Sequence, residues 1–279
     1  MASETPPPAP VDALLPAAIA RKAEEVGVAK ANMDVMRLFV LAVLAGAFIS
    51  LGAMAATTMW TGLDGVVPYG LARILGGLVF ALGLILVVLG GAELFTGNNL
   101  MVMAAASRRI GLRALLRAWS IVFVGNLIGA VATALLVFLA GHHLLDDGAV
   151  GQKAFAIGAA KVDLPIMRAF FMGVLCNVLV CLAVWLCYGA HSTTDKLLAI
   201  LFPIAAFVAA GFEHSVANMY FIPQAMMIQQ WAPDLAGSTA TLTMGGLLAN
   251  LIPVTAGNII GGGLFVGLVY WFIYLRRPG

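Results

Sequence analysis

The chain has 279 residues, of which 62% are hydrophobic and only 10% are charged. Soluble domains carry about 25% charged residues, so this composition excludes an ordinary soluble domain and indicates a protein that crosses a membrane several times. The formal net charge of +2, without basic stretches interleaved with aromatic residues, excludes nucleic acid as an expected partner.

The amino-terminal region, residues 1–35, is predicted to be a cytoplasmic tail with an amphipathic helix. Residues 1–10 are rich in Pro and Ala and are predicted to be disordered. Between residues 11 and 30, Leu14, Leu15, Ile19 and Val26 alternate with charged residues. This pattern is typical of a helix that lies in the membrane interface.

Six apolar stretches are predicted to span the membrane: 36–60, 71–106, 115–141, 165–188, 197–227 and 246–275. About 20 helical residues are enough to cross the lipid core. The second stretch would be about 54 Å long as a straight helix, whereas the core is about 30 Å thick. The second and fifth spans are therefore predicted to be broken helices.

Polar residues mark the expected breaks. The second span carries Gly91-Ala92-Glu93-Leu94-Phe95-Thr96-Gly97-Asn98, and the fifth carries Gly211-Phe212-Glu213-His214-Ser215. A charged residue at this depth is costly, so such residues usually line a cavity and do not face lipid. The two breaks are therefore predicted to meet at one pore.

An internal repeat relates the two halves of the chain. Met36-Arg37-Leu38-Phe39 recurs as Met167-Arg168-Ala169-Phe170, Gly91-Ala92-Glu93 as Gly211-Phe212-Glu213, and Gly125-Asn126-Leu127-Ile128-Gly129 as Gly257-Asn258-Ile259-Ile260-Gly261. Three spans is an odd number, so the second copy must be inverted relative to the first. This architecture places a binding site near the midplane, between broken helices.

The charges in the connecting segments predict the orientation. With both termini inside, eleven Lys and Arg residues lie on the inner side and four on the outer side, and this bias places both termini in the cytoplasm. The expected organisation is a first repeat over 36–141, an extracytoplasmic connection over 142–164, a second repeat over 165–275 and a cytoplasmic tail over 276–279.

Other polar residues are given structural interpretations. Three cysteines share the fourth span without ligand partners and are interpreted as small buried thiols, so no metal or cofactor is expected. Three histidines in connecting segments, without evident partners, are interpreted as surface residues. Several glycines are interpreted as sites of close helix packing. These residues are Cys176, Cys181 and Cys187; His142, His143 and His191; and Gly46, Gly76, Gly83, Gly129 and Gly261.

The motifs at the breaks resemble the formate/nitrite transporter family, and within it the formate channels. The resemblance covers nearly the whole chain. It includes Glu93-Leu94-Phe95-Thr96, Asn177 with Val180 to Trp185, Gly211 to Ser215 with Ala217-Asn218-Met219, and Ile252 to Gly263. It implies an all-α, aquaporin-like membrane protein that assembles as a homopentamer, with one pore per protomer, in a bacterial inner membrane. The implied partners are small monovalent anions and membrane lipid.

The resemblance also implies which residues form the pore. His214 is the central histidine, Thr96 faces it, and Asn177, Glu213 and Asn258 support the centre. The outer constriction is implied at Phe80, Leu84 and Phe207, and the inner one at Leu94, Phe95 and Val180. Lys161 is implied at the outer mouth.

The chemistry of these residues leaves two roles open for the histidine. It either supplies a proton, so that the anion crosses as its neutral acid, or remains neutral and donates a hydrogen bond. Glu93 and Glu213 would repel an anion if they faced the pore, so each is expected either to accept hydrogen bonds from backbone N–H groups at its break or to face the loop of its repeat mate. Asn126 is interpreted as structural, and the role of Asn258 is left open.

Formate is the leading substrate, and several alternatives keep the same fold. The cargo could be nitrite, hydrosulfide, lactate or acetate, or a neutral solute such as water or glycerol. A membrane-embedded enzyme would need a nucleophile–base pair or a metal set, and neither is evident in the sequence. A purely structural or sensory role does not explain the paired polar breaks.

Overall fold

The computed structural model describes residues 12–237 and 242–276, which form helices joined by turns, without a β-strand in those ranges. The region predicted to be disordered, residues 1–10, and the last three residues of the predicted tail lie outside the described residues. The helices are α1 (Pro16–Ala31), α2 (Val35–Trp60), α3 (Tyr69–Phe80), α4 (Leu82–Gly90), α5 (Val102–Ala106), α6 (Leu112–Leu139), α7 (Ala149–Val162), α8 (Ile166–Gly189), α9 (Thr193–Ala209), α10 (Ser215–Trp231), α11 (Met244–Ile259) and α12 (Val269–Tyr274).

Within residues 12–237 and 242–276, five helical stretches are long and apolar enough to cross a membrane: α2, α3 with α4, α6, α8, and Met244–Tyr274. The last of these joins α11 to α12 through a π-helix over Ile260–Leu268. The region of the fifth predicted span instead contains two helices of 17 residues each, α9 and α10. Their combined region begins four residues before the predicted span, because Ser192 and Asp195 form a capping box that starts α9.

Helix α1 begins later than the sequence predicted. Pro16 occupies its first turn, where the missing N–H of proline has no intrahelical partner to lose. Leu14 N–H instead donates to the carbonyl of Gly189 at 3.0 Å. The prediction that the helix starts at residue 11 is therefore wrong for residues 12–15, which are not helical.

Two glycines end the helices that lead into the polar motifs. Helix α4 ends at Gly90 and is followed by Gly91 with φ +80°, and α9 is followed by Gly211 with φ +76°. This left-handed conformation is one that glycine adopts without a steric cost. The chain then runs through non-helical residues to a 3₁₀ turn at Gly97–Met101 in one case and to α10 in the other.

Glycines allow the backbones of two helix pairs to approach closely. A Cβ atom on Gly129 of α6 would lie 2.0 Å from Val43 O of α2, and one on Gly257 of α11 would lie 2.2 Å from Phe170 O of α8. No side chain fits at these positions without moving a backbone. Small residues that permit such contacts are typical of helix pairs in membranes.

We expect Gly257→Ala to destabilise the protein by roughly 3 kcal/mol, because the added methyl group must displace the backbone of α8. Gly70→Ala is the matched control, since a Cβ there meets no atom within 4 Å. Thermal melting in detergent measures both variants. Equal melting temperatures for the two variants would contradict the close approach of α8 and α11.

The connection at residues 142–164 contains a helix that the sequence did not predict. Helix α7 packs against α10 at Gly158, where a Cβ would lie 2.3 Å from Ala225 Cβ. The interpretation of His143 as a surface residue is wrong, because its ring is buried and stacks on Phe138 at 4.2 Å. His142 Nε2 lies 2.9 Å from Thr58 Oγ1. Burial lowers the pKa of both histidines.

Candidate conduction site

The two polar interruptions meet inside the protein. Thr96 Oγ1, from the segment after α4, lies 3.0 Å from His214 Nε2, from the segment after α9. Thr96 is fully buried and His214 is 3% exposed. The imidazole therefore lies in the protein interior, between residues that are far apart in sequence, and does not lie on the outer surface of the helices.

The contacts of the His214 ring determine its tautomer. His214 is the N-cap of α10, and its Nδ1 accepts a hydrogen bond from Ala217 N–H at 3.1 Å. An accepting Nδ1 carries no proton, so the neutral ring carries its proton on Nε2 and donates it to Thr96 Oγ1. The Thr96 hydroxyl then keeps its own proton for another acceptor.

Two asparagines hold the backbone of the interruptions in the same way. Each side-chain amide donates to two carbonyls and accepts one backbone N–H, all within 3.0 Å. Asn126 contacts Ala42 O, Glu93 O and Phe95 N, whereas Asn258 contacts Gly173 O, Glu213 O and Ser215 N. Each amide therefore binds one carbonyl and one N–H group at its interruption, where helix geometry leaves them unpaired, and ties them to a carbonyl of a neighbouring helix.

Each buried glutamate pairs with a lysine from a distant helix. Glu93 lies 2.9 Å from Lys30 Nζ, and Glu213 lies 2.9 Å from Lys161 Nζ. Each carboxylate also accepts a bond from the asparagine five residues later, Asn98 at 2.8 Å and Asn218 at 2.6 Å. The expectation that the glutamates accept backbone N–H groups is wrong for the described residues, because both carboxylates bind Lys and Asn side chains, and Phe95 N–H and Ser215 N–H donate to Asn126 and Asn258 instead.

Two cavities flank the meeting point. The α7-side cavity, about 230 Å³, is lined by residues that include Phe80, Phe207, His214, Lys161 and Glu213. The α1-side cavity, about 410 Å³, is lined by residues that include Leu84, Leu94, Glu93, Lys30, Lys22, Arg37 and Lys196. The rings of Phe80 and Phe207 meet edge to face with their centroids 5.7 Å apart.

The family model of the formate/nitrite transporters matches residues 17–272. The chain belongs to the formate/nitrite transporter family. It is 46% identical to the formate channel FocA of Escherichia coli K12, over 96% of this chain and 97% of that protein. It is 42% identical to the uncharacterized transporter YrhG of Bacillus subtilis strain 168, over 94% of each chain.

A solved structure described as a pentameric formate channel with formate bound superposes with a TM-score of 0.81. It is 42% identical to this chain and covers 87% of it and 98% of its own length. The described part of this formate/nitrite transporter family member is all helical. The family and these relatives are channels or transporters, so this membrane protein is not an enzyme.

Within this family member, the structure separates some residues that the sequence grouped. Leu84 lines the α1-side cavity with Leu94, whereas Phe80 and Phe207 line the α7-side cavity. Leu84 lies about one helical turn beyond Phe80. This displacement along the helix axis places Leu84 at the α1-side cavity and Phe80 at the α7-side cavity.

The remaining residues of the predicted pore do not line the two cavities that flank the meeting point. Phe95 packs its ring against Phe123, with centroids 5.1 Å apart. Val180 is buried in the core. Asn177 Nδ2 lies 2.7 Å from Asn258 O and 3.2 Å from Thr96 O, and so links the first interruption to α11.

Sequence reasoning did not assign a site role to five of the cations that line the two cavities of this transporter-family chain. Lys22, Lys30, Arg37 and Lys196 line the α1-side cavity, and Arg73 lines the α7-side cavity. One signal could have identified Lys30, because Lys30 and Lys161 have the same sequence offset as Met36 and Met167. Extending the repeat towards the amino terminus would have paired these two lysines.

We expect Lys161→Met to destabilise the protein by about 3–5 kcal/mol, because it leaves the Glu213 carboxylate buried without its cation. The double variant Lys161→Met with Glu213→Gln should recover most of the lost stability, because no unpaired charge remains. Thermal melting in detergent measures both. If the double variant melts as low as the single one, the ion pair does not account for the loss.

Proposed function

We propose that this chain is a channel for formate and related small monovalent anions. The contact between Thr96 and His214 carries the proposal, because it places two buried hydrogen-bonding side chains between the two cavities. The names of the relatives support formate as the cargo, since they include the Escherichia coli formate channel and the channel with formate bound.

The proposed architecture is a six-span inverted repeat in which helices 2 and 5 are broken. The matching contacts of Asn126 and Asn258, and of the two lysine–glutamate pairs, support it. Helix α1 then corresponds to α7, since each supplies the lysine of its own half. The two repeats cover residues 36–141 and 165–275, with the connection at 142–164 and the tails at 1–35 and 276–279.

The proposed assembly is a homopentamer in a bacterial inner membrane with both termini in the cytoplasm. The pentameric relative supports the first point, and the excess of Lys and Arg on the predicted inner side, eleven against four, supports the orientation. In this orientation the α7-side cavity is the outer vestibule and the α1-side cavity is the inner one. The edge-to-face Phe80–Phe207 pair forms the outer constriction, and Leu94 with Leu84 forms the inner one.

Energetics favours passage of the neutral acid through the apolar constrictions. A bare anion in such a passage faces a Born penalty of up to tens of kcal/mol. Protonating an acid of pKa about 4 at pH 7 costs only about 4 kcal/mol, at about 1.36 kcal/mol per unit. Formate therefore reaches the vestibule as an anion and crosses the aromatic ring pair as formic acid.

The role of His214 changes with occupancy of the vestibule. At rest the neutral ring donates through Nε2 to Thr96, and this leaves the Thr96 hydroxyl proton for the substrate. Protonation of Nδ1 would break its bond with Ala217 N–H and place a cation at a helix N-terminus. An anion beside the ring compensates for this cost, so His214 takes up and passes on a proton only when formate is present.

Flux into reconstituted vesicles tests the proposal. Labelled formate, nitrite, hydrosulfide, acetate and lactate are compared at pH 5 and pH 8, with protein-free vesicles as the control and osmotic swelling in glycerol as the neutral-solute comparison. We expect formate to enter fastest, and faster at pH 5. Swelling without anion uptake would indicate a neutral-solute pore, and faster nitrite or lactate entry would reassign the cargo.

A further inference from the structure

A third cavity adjoins the α7-side cavity. This rim cavity, about 510 Å³, is lined by residues that include Asp64, Tyr69 and Lys153. Trp60, Arg73 and Ile157 line both cavities. These three side chains therefore form the common wall that a solute passes on its way from the rim cavity towards Phe80, Phe207 and His214.

Ion pairs neutralise the other cations that line these two cavities. Lys153 pairs with Asp64 at 2.5 Å, and Lys161 pairs with Glu213 at 2.9 Å. Arg73 contacts only uncharged groups, since it donates to Val208 O at 2.5 Å and to Ala209 O at 3.4 Å. Among the described residues that line the two cavities, Arg73 thus carries the positive charge that no carboxylate cancels.

The position of Arg73 suits an anion. Val208 and Ala209 end α9, and the carbonyls at a helix C-terminus repel negative charge. The guanidinium covers those carbonyls and packs over the Trp60 ring at 5.0 Å, which holds it in place. It also reaches the interruption itself, since a Cβ on Gly211 would lie 3.5 Å from Arg73 Nη2.

The guanidinium keeps hydrogen-bonding capacity for a ligand. Its bonds to the helix end use Nε and Nη2, while Nη1 has no protein acceptor among the described residues. The planar guanidinium matches the geometry of a carboxylate, which it binds in a way that a lysine ammonium does not reproduce.

We propose that Arg73 is an anion-binding residue of the outer vestibule, where it holds a small monovalent carboxylate at the wall between the rim cavity and the α7-side cavity. Lys161, whose charge is compensated by Glu213, does not fill this role. The inference rests on the proposed function, because it assigns the residue that receives the anion before it reaches Thr96 and His214.

Formate uptake by Arg73→Gln, Arg73→Lys and the control Arg113→Gln tests the proposal. Arg113 is exposed and contacts neither cavity. Uptake is measured against formate concentration at low and high salt. We expect Arg73→Gln to raise the half-saturating concentration about tenfold and to flatten the salt dependence, because focusing of anions by the vestibule is lost. Arg73→Lys should keep the salt dependence, and its half-saturating formate concentration should lie between those of the wild type and Arg73→Gln.

A purely structural cap on α9 gives a different result. In that case both Arg73 variants lower the maximal rate while the half-saturating concentration and its salt dependence stay as in the wild type, and this result overturns the proposal. Unchanged kinetics in Arg73→Gln overturn it as well.

A binding measurement separates this inference from the conduction proposal. Thermal melting in detergent is followed with sodium formate against sodium chloride at equal ionic strength. We expect formate to raise the melting temperature of the wild type and of Arg113→Gln, but not of Arg73→Gln. If wild-type vesicles pass no formate while this difference persists, conduction is refuted and the anion site stands. Equal responses of all three proteins refute the site.

Discussion

Replacing His214 with Phe is expected to lower formate flux about a hundredfold, since a hydrogen bond to a charged group contributes about 1.5–3 kcal/mol. Phe keeps an aromatic ring near Phe207, whose centroid lies 6.0 Å from that of the imidazole. It removes both the Nε2 donor to Thr96 and the Nδ1 acceptor that caps α10. Uptake of labelled formate by vesicles measures the loss, with the exposed His191→Phe as the control.

A second variant separates conduction from helix capping. Asn is a good N-cap residue, so His214→Asn should retain the cap of α10 while its shorter side chain loses the contact with Thr96. We expect a folded protein with low flux and with little dependence on pH between 5 and 8. A variant that conducts formate with the wild-type rate and pH profile would show that the imidazole takes no part in conduction.

Replacing Asn258 with Ala is expected to prevent stable folding. The change leaves two buried backbone groups without their side-chain partner, Glu213 O and Ser215 N, and removes the bond that ties them to Gly173 O of α8. Each unsatisfied group costs about 1–3 kcal/mol, and the sum approaches the roughly 5–15 kcal/mol by which folded proteins are stable. The yield of folded protein in detergent and its melting temperature measure the effect.

Two comparisons sharpen this prediction. Asn126→Ala should have an effect of similar size, because Asn126 makes the equivalent three bonds in the first half. Asn32→Ala should have little effect, because its side chain makes one exposed bond to Val28 O within its own turn. If Asn258→Ala melts within a few degrees of Asn32→Ala, the asparagine does not hold the interruption together.

Local sequence chemistry predicted the positions of the two interruptions. Gly91 and Gly211 adopt left-handed conformations just after a helix end, and this requirement acts on single residues. The recurrence of short motifs was also visible, because residues in equivalent places make equivalent contacts, as Asn126 and Asn258 do. Cys176, Cys181 and Cys187 are buried free thiols, as their apolar span indicated.

Partners from distant parts of the chain were not predictable in this way. The lysines that pair with Glu93 and Glu213 come from α1 and α7, two helices outside the predicted spans. Helix α7 has mixed polarity and was interpreted as a connection.

By itself, the sequence determined that the protein is a helical membrane protein and which residues interrupt its helices, because hydropathy and glycine conformation are local properties. Its motifs placed it in the formate/nitrite transporter family by resemblance. Only the tertiary structure decided which side chains meet. Helix rotation and close packing put Leu84 on the α1 side, turned Phe95 into the core and left Arg73 as the cation of the α7-side and rim cavities that pairs with no carboxylate among the described residues. Those outcomes depend on the relative placement of helices, which single-residue preferences do not encode.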